Sequence, residues 1–238
     1  MDEFNYYIVS EISLATGELA SMSSRSDSVA RDDEVVDGLI ARASGLTTCH
    51  ISDALDRCGL PPGGLVGIRP LEPAKRAVGL AFPVQLRAAG GNSADPRNYL
   101  DHIPSHAFVV LAAGGRQDCS VWGGNRSVRA IDRGAAGAVA DGAFRDVDEH
   151  RELGFPVYGL APISMASRGR LVVTDFDVPV VACGVRVAPG DLVAADSSGV
   201  VVVPEMHAER VVTEGEQIRD AEAREFERRA SRANNPGE

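Results

Sequence analysis

The stretch Val187–Pro204, "VAPGDLVAADSSGVVVVP", reads as turn, strand, turn, strand. A Pro-Gly turn precedes the first strand, and an acidic Ser-Gly turn leads into four consecutive valines, Val200 to Val203. Four β-branched residues in a row suit a strand covered on both faces, since a half-exposed strand would alternate with polar residues. Such a strand needs one layer above it and another below. Asp191 and Asp196 fall in the turns and are read as turn residues rather than metal ligands.

Working outward, the same texture recurs in "AVGLAFPVQL", "AFVVLAA", "GAVAD", "FPVYG", "LVV" and "VPVVACGVRV", short β-rich runs separated by glycine and proline. Helical patterns lie between and around them. Val35, Val36, Leu39, Ile40 and Ala43 form one apolar face from Glu34 to about Gly45. "ISDALDRCG" predicts a second helix capped by Ser52 or Thr48 and stopped at Gly59, before a "LPPGG" break. Others are expected at Gly124 to Arg133, at Asp146 to Leu153, and from Glu205 to about Arg229. The last is mostly charged, with Val211, Val212, Ile218 and Phe226 as a sparse contact stripe. The chain is therefore α/β. Its helices do not alternate regularly with its strands, which disfavours a doubly wound sheet or a barrel and favours two mixed sheets packed together with helices outside. The expected organisation is an N-terminal arm over 1–33, rich in serine towards its end, a single domain over 34–204, and a C-terminal helix and tail over 205–238.

The formal net charge of -10 argues against nucleic acid or an anionic membrane as the main partner, because both are held by a positive field. Cys49, Cys58, Cys119 and Cys183 form no C-x-x-C pair and are expected as isolated buried thiols. The acidic start lacks a signal-like apolar core, and no run of about eighteen apolar residues occurs, so a cytoplasmic location is expected.

Two stretches carry candidate chemistry. In "SVWGGNRSVRAIDRG", Gly123, Gly124 and Asn125 stand at an expected helix N-terminus, where glycines let backbone N–H groups approach an anion, although on these residues alone an ordinary turn capped by Asn125 is the favoured reading. "DGAFRDVDEHRELG", Asp141–Gly154, reads two ways. In one, Asp146 is an N-cap, Glu149 closes a capping box and Gly154 stops the helix. In the other, Asp146 offers hard oxygen to Mg²⁺ or Mn²⁺, Arg145 binds a carboxylate through its fork, and Glu149 supports them. His102 and His106 have the spacing of a helical metal pair, which Pro104 between them weakens. His50, His150 and His207 are read as surface or locally bonded.

Taken together, "ISDALD", "WGG", the twenty residues from Gly124 to "RD", the acid three past Asp146, "FPVYG", "GVRVAPGD" and "AADSSGVVVVP" resemble the RraA-like family. That family includes the regulator of ribonuclease E activity and the class II 4-hydroxy-4-methyl-2-oxoglutarate aldolases. The resemblance implies an α/β/β/α sandwich assembled as homotrimers or homohexamers, with the site between subunits. It further implies a 2-oxo acid substrate, Mg²⁺ or Mn²⁺ held by Asp146, substrate bound by Arg145, and backbone donors from Gly123, Gly124 and Asn125. The implied activity is a carbon–carbon lyase, by retro-aldol cleavage or oxaloacetate decarboxylation through a pyruvate-type enolate. A non-catalytic regulator binding a ribonuclease or another protein, and a biosynthetic enzyme with a specialised substrate, are the alternatives. Some aldolase members carry a carboxylate where this chain has Gly124, so its duty would fall to Glu149, Asp148, a metal-bound water or a neighbouring subunit.

Overall fold

A computed structural model describes residues 34–72, 75–90 and 97–234. They divide into two units between Ala41 and Arg42. Residues 34–44 are helical (α1), as the apolar face from Glu34 predicts, and the first unit contributes residues 34–41 of that helix. The expected arm over 1–33 lies outside the described residues.

In the second unit, the strands are β1 (Arg69–Pro70), β2 (Ala77–Ala88), β3 (Ala107–Trp122), β4 (Gly137–Phe144), β5 (Val157–Pro162), β6 (Leu171–Phe176), β7 (Val180–Ala182), β8 (Val185–Val187), β9 (Leu192–Asp196) and β10 (Gly199–Val203). The helices are α2 (Thr48–Arg57), α3 (Gly124–Asp132), α4 (Val147–Leu153) and α5 (Ala208–Asn234). Eight strands make one mixed sheet in the order β1-β5-β4-β3-β2-β9-β10, with β6 pairing β2, and β7 and β8 form a separate antiparallel ribbon. The β2–β3, β3–β4 and β4–β5 pairs are parallel. The expected α/β class with a mixed sheet and flanking helices is what forms, with the β7–β8 ribbon in the place of a second mixed sheet. Within that fold, β3-α3-β4-α4-β5 is more regular than the sequence suggested, two successive crossover units in which each helix returns the chain to the next parallel strand.

Side-chain alternation sorts the core onto the two faces of the sheet. Val109, Leu111, Ala138, Ala140 and Val157 face a cluster that includes Ala130 of α3 and Tyr99, Leu100 and Ile103. Phe108, Val110, Val139, Tyr158, Val193 and Val202 face a second cluster that includes Val180, Ala182 and Val187 of the ribbon. Each fully buried side chain of this kind contributes roughly 1.5–3 kcal/mol relative to exposure. Val200 to Val203 are all buried, as four valines in a row require. Pro83 lies in the middle of β2, where its missing N–H breaks no ladder. Residues 77–80 pair with β9, residues 84–88 pair with β6, and Pro83 falls between the two partners.

The β9–β10 hairpin is tied to α2 by a buried carboxylate. Asp196 accepts from the Thr48 N–H at 2.9 Å, the Thr48 hydroxyl at 2.7 Å and the Ser198 N–H at 2.8 Å. Thr48 is thereby occupied, and the cap of α2 is neither Thr48 nor Ser52 but Thr47. Its hydroxyl accepts from the His50 N–H at 3.1 Å while the His50 ring accepts from the Thr47 N–H at 3.2 Å. A histidine thus takes the place that glutamate or glutamine usually fills in a capping box. Asp191 is likewise internal, accepting from the Ala188 and Glu205 N–H groups.

The last helix is preceded by a 3₁₀ turn, Glu205–His207, and continues past the expected end to Asn234. Val211, Val212 and Ile218 are buried, but the expected stripe stops there: Phe226 is 77% exposed. Among the cysteines only Cys119 is buried. Cys58 and Cys183 are half-buried and Cys49 is exposed, all as free thiols. His102 ends a 3₁₀ helix and stacks on Phe176, and His106 adopts φ 59°, so the two share no helical face. Among the described residues no helix is long and apolar enough to cross a membrane.

Candidate active site

The two crossover units place two chain reversals side by side at the carboxyl ends of β3 and β4, where open α/β sheets commonly bind ligands. Gly123 and Gly124 follow β3, and Arg145 and Asp146 follow β4. The Arg145 N–H donates to the Trp122 carbonyl at 3.1 Å, continuing the strand pairing into the loop.

The conformation of Asp146 removes the side-chain capping reading of its segment. The residue occupies the N-cap position of α4, but with φ 57° and ψ 45°, in the left-handed region, and its side chain makes no capping bond. That conformation costs a non-glycine residue about 1–2 kcal/mol and is most tolerable in aspartate or asparagine. The expected capping box with Glu149 is therefore absent. Instead the carboxylate turns across to the neighbouring reversal, where Oδ2 accepts from the Gly124 N–H at 2.9 Å and lies 3.1 Å from Arg145 Nε. Its other oxygen, Oδ1, has no hydrogen bond among the described residues.

Both glycines are closely approached by side chains of the neighbouring reversal. A Cβ on Gly123 would lie 2.8 Å from Asp146 Oδ2 and 3.0 Å from Arg145 Nε. A Cβ on Gly124 would lie 2.1 Å from Glu149 Oε2 and 2.6 Å from Oε1, so the Glu149 carboxylate fills the space that a side chain at 124 would take. Asp148 is committed elsewhere, accepting from Arg151 at 3.0 Å, while Arg151 also holds Glu72. Gly123, Gly124, Arg145, Asp146 and Glu149 are thus brought together. Asn125 is exposed one residue further into α3 and does not cap it; Gly123 is the N-cap.

Sequence reasoning missed the polar group behind this cluster. The Trp122 indole N–H donates to Ser127 Oγ at 2.7 Å, and Ser127 Oγ lies 3.1 Å from His150 Nδ1, with all three residues buried. His150 is neither a surface histidine nor exposed at one edge. Burial pushes its pKa below the ordinary value despite the nearby Asp146 charge, leaving the ring neutral at pH 7. The available signal was spacing: Ser127 is three residues after Gly124, and His150 is four after Asp146.

The donor set fits one kind of metal. Among the described residues no group of three or more His, Cys, Asp or Glu side chains gathers, which does not suit a closed tetrahedral zinc site. One carboxylate oxygen without a partner, on a half-exposed side chain beside a guanidinium, suits a hard cation that keeps most of its waters and shares its sphere with substrate, as Mg²⁺ does.

The fold and the site define a mixed α/β protein with an Arg-Asp pair at a strand end, facing a glycine pair at the next. A family profile described as "RraA-like: Aldolase/RraA" matches residues 48–202, and the chain belongs to the RraA-like family. It is 31% identical over 196 residues to protein DlpA of Legionella pneumophila, an alignment covering 81% of this chain and 32% of DlpA, so the chain spans about a third of that relative. It is 33% identical over 111 residues to the 4-hydroxy-4-methyl-2-oxoglutarate aldolase of Thermus thermophilus, covering 46% of this chain and 66% of the relative. RraAS2 of Streptomyces coelicolor, described as an unusual member of the RNase ES inhibitor RraA protein family, superposes with a TM-score of 0.72 at 29% identity, covering 80% of this chain and 96% of RraAS2.

Proposed function

We propose that the chain is a divalent-metal-dependent lyase that cleaves a carbon–carbon bond of a 2-oxo acid. The observation that carries this reading is the left-handed Asp146, whose carboxylate is turned out of its own helix cap towards Gly124 and Arg145. The strain has no use in a simple helix start. Asp146 would hold Mg²⁺ or Mn²⁺ through Oδ1, and the bound cation would supply Lewis-acid stabilisation of charge developing on the 2-oxo oxygen.

The chain's own groups account for the rest. Arg145 offers a fork to the substrate carboxylate and, with the α3 N-terminus at Gly123 to Asn125, whose Gly124 N–H is already bonded to Asp146, contributes positive potential for an anion. Because enolate charge grows as the bond breaks, these groups stabilise the transition state more than the ground state. In a retro-aldol reaction Glu149 accepts the proton of the 4-hydroxyl as C3–C4 cleaves, then returns it to C3 of the enolate, giving pyruvate with protons in balance. In oxaloacetate decarboxylation the same enolate forms on loss of CO₂ with no proton released, so Glu149 must first take a proton from solvent and then deliver it to C3. Aldolase-named relatives support the lyase reading, and the family resemblance supports a homotrimer or homohexamer.

The test is a coupled pyruvate assay over a panel of 4-hydroxy-2-oxo diacids and oxaloacetate, with and without chelator. Activity is expected to require metal and to vanish in Asp146→Ala and Arg145→Ala. Unchanged turnover in both variants removes the catalytic assignment. The similarity to RraAS2 favours a second reading, a protein-binding regulator, which takes over if every substrate is inert and the protein binds a ribonuclease.

A further inference from the structure

Asp146 is held in an unfavourable conformation at the start of a helix of only seven residues, without a side-chain cap. A helix that short does not hold itself in water. Something else must fix its register against α3. We propose that Ser127 and His150 are positioning residues, a buried brace that holds Asp146 and Glu149 in place against the glycine pair and so sets metal affinity. This rests on the metal-site reading of Asp146.

The geometry is a ladder of two rungs between α3 and α4. The first is the Gly124 N–H to Asp146 Oδ2 bond at 2.9 Å. The second, one turn deeper, is Ser127 Oγ to His150 Nδ1 at 3.1 Å. Residues spaced three or four apart share a helix face, so Gly124 with Ser127 on one side meets Asp146 with His150 on the other. The second rung is anchored to the sheet. Trp122, the last residue of β3, is fully buried and donates its indole N–H to the same Ser127 oxygen at 2.7 Å.

The donor inventory fixes the sheet end of the brace. An indole can only donate, so Ser127 Oγ accepts from Trp122 and keeps both a proton and a lone pair with which to meet His150 Nδ1 in either ring tautomer. The other ring nitrogen, Nε2, is buried with no hydrogen-bond partner among the described residues. A histidine with one nitrogen unsatisfied in a dry core is a costly choice for filling space. Ser127 Oγ and the Arg145 backbone are the polar neighbours its ring gains. Removing the Ser127 hydroxyl would strand both the Trp122 N–H and His150 Nδ1, releasing the short helix from its register, with Asp146 four residues away on the same face.

The experiment is Mn²⁺ titration of the intact protein, followed by the electron paramagnetic resonance signal of free Mn²⁺, for wild type, Asp146→Asn, Ser127→Ala, His150→Phe and His150→Asn. Thermal midpoints confirm that each variant is folded at the titration temperature. Ser127→Ala and His150→Phe are expected to weaken Mn²⁺ binding by about 10- to 100-fold, the usual effect of losing a partner that orients a ligand. His150→Asn restores a hydrogen-bonding group near Nδ1, able to donate or accept, and should recover most of the affinity, which a volume effect would not do. Should His150→Phe not fold, Ser127→Ala decides. Binding that needs Asp146 but is unchanged in folded Ser127→Ala overturns the brace and leaves the metal site standing. Mn²⁺ binding that is absent in wild type, or indifferent to Asp146→Asn, overturns the metal reading and the brace with it.

Discussion

Gly124→Ala separates activity from stability. Gly124 is the first residue of α3 and is not in the left-handed region, so alanine can adopt its backbone conformation. Helix propensity there favours alanine by up to about 1 kcal/mol. The new Cβ would stand 2.1 Å, 2.3 Å and 2.6 Å from Glu149 Oε2, Cδ and Oε1, where ordinary contact begins near 3.4 Å. The carboxylate must therefore withdraw by more than an ångström. Since Glu149 is exposed and its side chain flexible, it can swing into solvent with little strain. The thermal midpoint should hold or rise by a few degrees, about 2–4 °C per kcal/mol for a chain of this size. Turnover should fall by roughly 10²- to 10⁴-fold, the usual contribution of a positioned acid–base group. Glu149→Gln should lose a similar factor, and the double variant should lose little more, because both substitutions remove the same group. Pyruvate release measured with lactate dehydrogenase reads all three. Wild-type turnover in folded Gly124→Ala, or in Glu149→Gln, refutes the role given to Glu149.

Other substitutions test the scaffold. Gly79→Ala places a Cβ 2.3 Å from the His106 carbonyl oxygen, a backbone atom that cannot swing aside, so a loss of about 3 kcal/mol or more in chemical denaturation is expected. For Asp196, burial works against ionisation, but the Thr48 N–H and hydroxyl and the Ser198 N–H outweigh it and hold the pKa below the ordinary carboxylate value. A carboxylate with a lower pKa folded than unfolded adds stability above the unfolded value and loses it as pH falls through the folded one. Asp196→Asn should therefore cost about 1–3 kcal/mol at pH 7. The gap from wild type should narrow below about pH 4 in urea melts repeated across the acid range; a gap independent of pH contradicts the assignment.

Periodicity and turn chemistry made much of this legible. The paired turns around Asp191 and Asp196, the four valines and the helix starts at Gly124 and Asp146 all came from local pattern, and each helix or strand formed near its expected place. Local pattern failed where a residue is claimed by a distant one. Thr48 looks like a cap but is taken by Asp196, which lies 148 residues away, so Thr47 caps instead. Phe226 matches a helical stripe but is 77% exposed, with no burial against the described residues. Asp146 and Glu149 spell a capping box, yet the left-handed backbone at Asp146 depends on contacts to the β3–α3 reversal that no local spacing encodes. His150 reads as surface or locally bonded because its partner, Ser127, has no visible role in the sequence.

The central claim is that Asp146, turned out of its helix cap beside Arg145, holds a divalent cation that the substrate shares. Crystals soaked in Mn²⁺ and oxalate, with data collected for anomalous scattering from manganese, test it most directly. A peak about 2.1–2.2 Å from Asp146 Oδ1, with oxalate between the metal and Arg145, is the predicted result. An anomalous map with no peak beside that carboxylate, or with manganese bound only elsewhere, contradicts the account.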